Sequence, residues 1–199
     1  MLSILEIFAL MLAIVNGSIL LWNYLRVKPI LIVEPIHPDT HQWFFKLPNG
    51  VHQNKKTRKY GILTYISISN KGLRDVSVNS WRLQIKIQKK SKEFKPMNIP
   101  EPQYQLGTEN LKIFPVLGQK GSQFQGHTMV KSGDSISGFA YYQPEFYGDW
   151  NLPVKENKLM GKILIKSVFG NKSTTNIQFK KISIEKAKKM IPDIDKIGT

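Results

Sequence analysis

The chain has 199 residues, which leaves one domain of about 170 once an apolar N-terminal stretch is set aside. Hydrophobic residues make up 41%, enough for a packed core. There is no cysteine, which excludes disulfides, thiolate zinc sites, iron–sulfur clusters and cysteine nucleophiles.

The net charge is +15, from 29 Lys and Arg against 14 Asp and Glu. Residues 1–25 carry Glu6 alone, so the remainder carries 29 − 13, or +16. Such a surplus favours an anionic neighbour: lipid headgroups, nucleic acid, a nucleotide or an acidic protein. Only Arg26, Arg58, Arg74 and Arg82 bring the planar fork that grips phosphate; the other cations are lysine point charges. The plain alternative is a Lys-rich solvated surface, although the shortage of acidic residues argues for more.

Residues 2–25 are almost wholly apolar and as a helix would reach about 36 Å, enough to cross a bilayer core of roughly 30 Å with some tilt. A membrane anchor over residues 1–28 is predicted, with Trp22 and Tyr24 at the interface. A cleaved signal peptide would want a positive n-region, and a buried soluble helix would want a polar face. Arg26 and Lys28 follow the apolar run at once, then Lys46, Lys55, Lys56, Arg58 and Lys59. The positive-inside rule then places the N-terminus outside and the following domain in the cytoplasm, at the inner face of the plasma membrane. Ala9, Ala13 and Gly17 recur at four-residue spacing with Asn16 beside them, a pattern that suits helix–helix association.

Beyond the anchor the chain reads as strands, with a β domain over 29–184 and a short helical turn and flexible tail over 185–199. Residues 29–35 suggest an edge strand between two prolines. Residues 60–70 form the clearest core strand, with Ile62, Thr64, Ile66 and Ile68 on one face. In residues 76–90, Trp81, Leu83, Ile85 and Ile87 alternate with Arg82, Gln84, Lys86 and Gln88, as in a half-solvated antiparallel strand. Residues 89–95 read as a charged loop. Residues 111–117, 124–130 and 135–142 resume strand character. Residues 161–169 and 174–184 suggest a closing hairpin turned by Gly170, Asn171 and Lys172.

Seven or eight short strands without helical periodicity argue a mainly β fold, a sandwich or barrel. The order resembles that of small prokaryotic proteins with one N-terminal transmembrane helix and an immunoglobulin-like β-sandwich. The resemblance lies in the exit Lys28-Pro29-Ile30-Leu31, in Ser67, Ser69, Asn70 and Gly72 at a strand end, in the turn at 132–138, and in the hairpin at 168–172. It implies a single immunoglobulin-like antiparallel sandwich of seven to eight strands. It supplies no functional residues.

Chemistry-bearing constellations are sparse. His37, Asp39 and His41, with His52 nearby, are the one metal-like group, but their spacing matches no standard motif. No nucleophile motif, Walker loop or dinucleotide fingerprint is present, and Glu145 and Asp149 alone suggest paired carboxylates. No catalytic residue, cofactor or metal is therefore expected. Residues 139–150 concentrate aromatic side chains, and Tyr142, Phe146, Tyr147 and Trp150 are candidates for a partner-binding loop, against the alternative of a plug at one end of the domain. The lysine clusters lack interleaved aromatics, which disfavours nucleic acid and leaves anionic lipid open. The expectation is a non-enzymatic, single-pass module for protein–protein interaction or self-assembly at the inner membrane face. The alternative is a tethered sensor whose basic domain binds an anionic ligand.

Overall fold

Ser3 opens the first helix. Its hydroxyl accepts the Glu6 N–H at 3.3 Å, and the Glu6 carboxylate accepts the Ser3 N–H at 2.7 Å, a reciprocal cap. This gives the one acidic residue of the apolar stretch a structural task. In the computed structural model, which describes residues 3–48, 50–52, 55–57, 60–106, 108–111, 114–117, 128–144 and 150–197, helix α1 spans Ile4–Arg26. Its segment Ile4–Leu25 has a mean hydropathy of 2.3 and none of it is buried against the rest of the protein. It is long and apolar enough to cross a membrane.

Thirteen strands follow among the described residues. They are β1 (Leu31–Pro35), β2 (Gln42–Lys46), β3 (Gly50–His52), β4 (Lys55–Thr57), β5 (Tyr60–Asn70), β6 (Val76–Ile87), β7 (Lys90–Met97), β8 (Tyr104–Leu106), β9 (Glu109–Leu111), β10 (Thr128–Val130), β11 (Ser135–Pro144), β12 (Lys158–Ser167) and β13 (Lys172–Lys181). A second helix, α2, spans Ile184–Met190. β3 with β4, and β8 with β9, form small separate hairpins.

The main sheet closes on itself. Its ring runs β5, β11, β7, β6, β12, β13, β2 and back to β5, a closed seven-stranded barrel. This corrects the expectation of an immunoglobulin-like sandwich, in which two open sheets face each other. The closing seam is the parallel pairing of β13 with β2, in register Lys180 with Trp43 and Lys181 with Phe44, extended by the Ile182 N–H to the Phe44 carbonyl at 3.0 Å. Closure satisfies the edges that two open sheets would leave exposed.

β1 and β2 lie end to end along one edge of β5. β2 pairs with Tyr60 through Thr64, and β1 with Ile66 through Asn70. Between them residues 36–41 leave the edge as a loop. The buried Gln42 holds that gap, donating to the carbonyls of Ile36 at 3.0 Å and Tyr65 at 2.8 Å and accepting the Thr64 hydroxyl.

Alternation sends one set of side chains into the barrel. Ile62, Ile66 and Ile68 of β5 meet Leu83 and Ile85 of β6, Ile163 and Ile165 of β12, and Phe179 of β13, all at most 1% exposed. Each such side chain contributes about 1.5–3 kcal/mol on burial. The opposite faces of β2, β5 and β11 form a second core outside the barrel wall, built on Trp43, Phe45, Leu63, Phe139 and Tyr141. α2 covers it. Ala187, Ile191 and Ile194 are fully buried there, and Gln143 donates to the Ile197 carbonyl at 2.8 Å. Residues 191–197 are thus packed, where the sequence suggested a flexible tail.

Candidate functional site

The junction of α1 with the barrel is held by a dense set of hydrogen bonds among the described residues. Pro29 is buried, and its carbonyl accepts the Asn171 side-chain amide at 2.8 Å. Ile30 bonds in both directions: its N–H donates to Asn70 Oδ1 at 3.3 Å, and its carbonyl accepts the Lys71 N–H at 2.8 Å. Asn70 is fully buried and is the hub. Its Oδ1 also accepts the Gly72 N–H at 3.0 Å, and its Nδ2 donates to the carbonyls of Arg74 at 2.7 Å and Val130 at 3.2 Å. One side chain therefore ties the exit segment, the β5–β6 turn and the end of β10 together.

Gly72 makes the fit possible. A Cβ there would stand 2.6 Å from Ile30 N and Pro29 Cα and closer still to the Lys28 carbonyl oxygen. Ser132 locks the neighbouring turn, its hydroxyl donating to the Gly72 carbonyl at 3.0 Å and its N–H to Asp75 Oδ1 at 2.8 Å. Beside the junction lies an open cleft of about 390 Å³, lined by Asn23, Tyr24, Lys28, Arg74, Phe169 and Asn171 among others. Lys28 Nζ stands 5.6 Å from the Tyr24 ring centre, and the Arg74 guanidinium 4.8 Å from that of Phe169.

The sequence-derived candidates fall unevenly around this end. Trp22, Tyr24 and Lys28 are exposed at or beside it, and Arg26 ends α1. Lys55 and Lys56 fall in β4, on the connection that leaves β2 at Lys46 and re-enters β5 at Tyr60. That is the far end of β5, about 33 Å from Asn70 at 3.3 Å per residue. Arg58 and Lys59 lie outside the described residues. Ala9, Ala13, Asn16 and Gly17 stay exposed along α1, and a Cβ on Gly17 would meet nothing within 4 Å.

Tyr142 and Trp150 are core residues rather than loop contacts. Tyr142 is fully buried inside the barrel. Trp150, 7% exposed, lies 5.4 Å from the Tyr60 ring and edge-on to Phe94 at 6.4 Å, so it plugs the barrel end opposite Asn70. Phe146 and Tyr147, like Glu145 and Asp149, lie outside the described residues. His37 and His41 have ring centres 5.6 Å apart, but His41 is set among Trp43, Tyr65, Phe114 and Phe139. Among the described residues no three His, Asp or Glu side chains come together as a metal set.

Fold and junction together define a class: a closed seven-stranded β-barrel clamped to the C-terminal end of one apolar helix. No family model and no curated protein matches the chain. Among solved structures, the chain is similar to Spo0M, a sporulation control protein from Bacillus subtilis, at 9% identity and a TM-score of 0.34. The match covers 76% of this chain and 49% of that one, so the chain spans about half the length of that protein. A likeness of this size supports no inference about what the chain does.

Proposed function

We propose that the protein is a non-enzymatic, single-pass membrane module that presents its barrel at the inner membrane face for interaction with another protein or with further copies of itself. The observation that carries this reading is the clamp at the junction. A flexible tether would only localise a domain, whereas Asn70, Gly72 and Asn171 fix the barrel to the backbone within a few residues of the apolar helix. That rigidity is what a module needs if its orientation to the bilayer matters. The barrel's interior is filled by aliphatic and aromatic side chains, which suits a scaffold better than a ligand cup.

Arg26 and Lys28, directly after the apolar segment, support the cytoplasmic placement. Ala9, Ala13, Asn16 and Gly17 supply a route to assembly through α1. Paired C-terminal phosphatase and fluorescent-protein fusions test the orientation: phosphatase silence with bright fluorescence is expected, and the reverse pattern rejects it. Intramembrane cross-linking of the wild type against Gly17→Leu tests assembly, with equal dimer yield counting against the helix stripe.

A further inference from the structure

Two tight turns at the helix-exit end carry large apolar residues where turn chemistry normally places polar ones. The β12–β13 turn exposes Val168 and Phe169, 49% and 52% accessible, ahead of Gly170 at φ 82°. The β5–β6 turn exposes Leu73 at 57%. Single exposed apolar residues are ordinary, but these share one end of the barrel with the exit of the apolar helix. Arg74 bridges the two turns over the Phe169 ring.

The charge around them is mainly positive. Lys28, Lys71, Arg74 and Lys172 are all exposed on the same end. The nearby carboxylates are turned onto backbone, Asp75 accepting the Ser132 N–H at 2.8 Å and Asp134 the Ser135 N–H at 2.7 Å. Apolar tips ringed by cations match an anionic bilayer surface, with its phosphates above and its acyl chains below.

We propose that this barrel end is a lipid-contacting face. Leu73, Val168 and Phe169 enter the headgroup–acyl boundary, and Lys28, Lys71, Arg74 and Lys172 engage the phosphates of anionic lipid. The proposal rests on the reading of α1 as a membrane span, which brings these turns to the interface, and it concerns residues that the anchor argument alone does not reach.

Because the chain has no cysteine, single cysteines can be placed in the full-length protein and labelled with a fluorophore. The protein is reconstituted in nanodiscs of phosphatidylcholine with phosphatidylglycerol, with nitroxide lipids as quenchers. Leu73→Cys and Val168→Cys report on the face, and Ile14→Cys on the span. Met160→Cys is an exposed control about 23 Å along β12 from Ser167 at 3.3 Å per residue. Labels at 73 and 168 are expected to quench at least twofold more than the label at 160 with nitroxide near the headgroup. Replacing Lys71, Arg74 and Lys172 with Ser is expected to lower the quenching at 73 and 168 toward that of the label at 160. Quenching at 14 with none above control at 73 and 168 overturns the proposal and leaves the span standing. No quenching at 14 rejects the span and the proposal with it. Labels at 73 and 168 that are protected in native membranes yet unquenched in these nanodiscs, where no other membrane protein is present, overturn it in favour of a protein partner.

Discussion

Asn70 Oδ1 holds the backbone N–H of Ile30 at 3.3 Å across forty residues of sequence, and so couples the apolar helix to the barrel through one buried amide. Replacing Asn70 with Ala would remove four hydrogen bonds at once, leaving the buried Gly72 N–H and Val130 carbonyl without this partner and the part-buried Ile30 N–H and Arg74 carbonyl to water. The expected loss is on the order of 3 kcal/mol, because buried polar groups left unpaired cost more than an average hydrogen bond contributes. Chemical denaturation of the full chain in detergent, followed by tryptophan fluorescence, measures it. A change below about 0.5 kcal/mol would show that the exit segment is not held by this side chain.

Gly72→Ala probes the same junction by steric means. The added methyl meets main-chain atoms of residues 28–30, which cannot swing aside as a side-chain tip does. A loss of about 1–3 kcal/mol is expected, together with faster cleavage within residues 29–31 by a broad-specificity protease such as subtilisin. Gly170→Ala serves as a contrast: a Cβ there meets nothing within 4 Å, and its cost comes only from the positive φ. Equal cleavage rates in Gly72→Ala and the wild type would contradict the tight approach.

How far the sequence foretold this structure differs from strand to strand. Strands β5, β6, β12 and β13 were readable because their alternation is strong and their turns carry Asn and Gly. β7 reads in the sequence as a charged loop. It is Lys-rich, with Phe94 as its one fully buried anchor. The turn before it uses Gln88 and Lys89 at φ 48° and 67°, with neither Gly nor Asn to signal it. Barrel closure was not readable at all. It rests on two parallel pairs between β2 and β13, far apart in sequence, and no local pattern encodes a non-local seam. The junction was half readable: Asn70 and Gly72 stood out as a turn, but their grip on Ile30 depends on the fold. Leu73, Val168 and Phe169 carry a sequence signal of their own, apolar residues at turn tips.

Tyr142 offers a stabilising substitution. Its hydroxyl is fully buried in the barrel and has no partner among the described residues, and burial holds the phenol well above its usual range. Tyr142→Phe removes a desolvated group and is expected to raise stability by about 1 kcal/mol. Tyr141→Phe is the control. Its hydroxyl accepts the Gln143 amide at 2.9 Å, so the change there should destabilise. If Tyr142→Phe instead costs more than about 1 kcal/mol, the hydroxyl has a partner in solution.

His41 sets the expected response to acid. Burial among the surrounding rings, and then the charge of His37, hold its pKa below the ordinary 6.5. The unfolded chain therefore takes up this proton before the folded chain does. The contribution of His41 is fully present above about pH 7, falls as pH drops through 6.5, and levels off only below the folded-state value. Thermal unfolding of the full chain between pH 8 and pH 5 should show that decline. His41→Phe keeps an aromatic ring in the cluster and removes the titrating group, so the slope should flatten even if the midpoint at pH 8 moves. His37, His52 and His127 remain in the variant, so the difference in slope reports the loss of His41. An identical decline in both proteins would place the acid sensitivity elsewhere in the molecule.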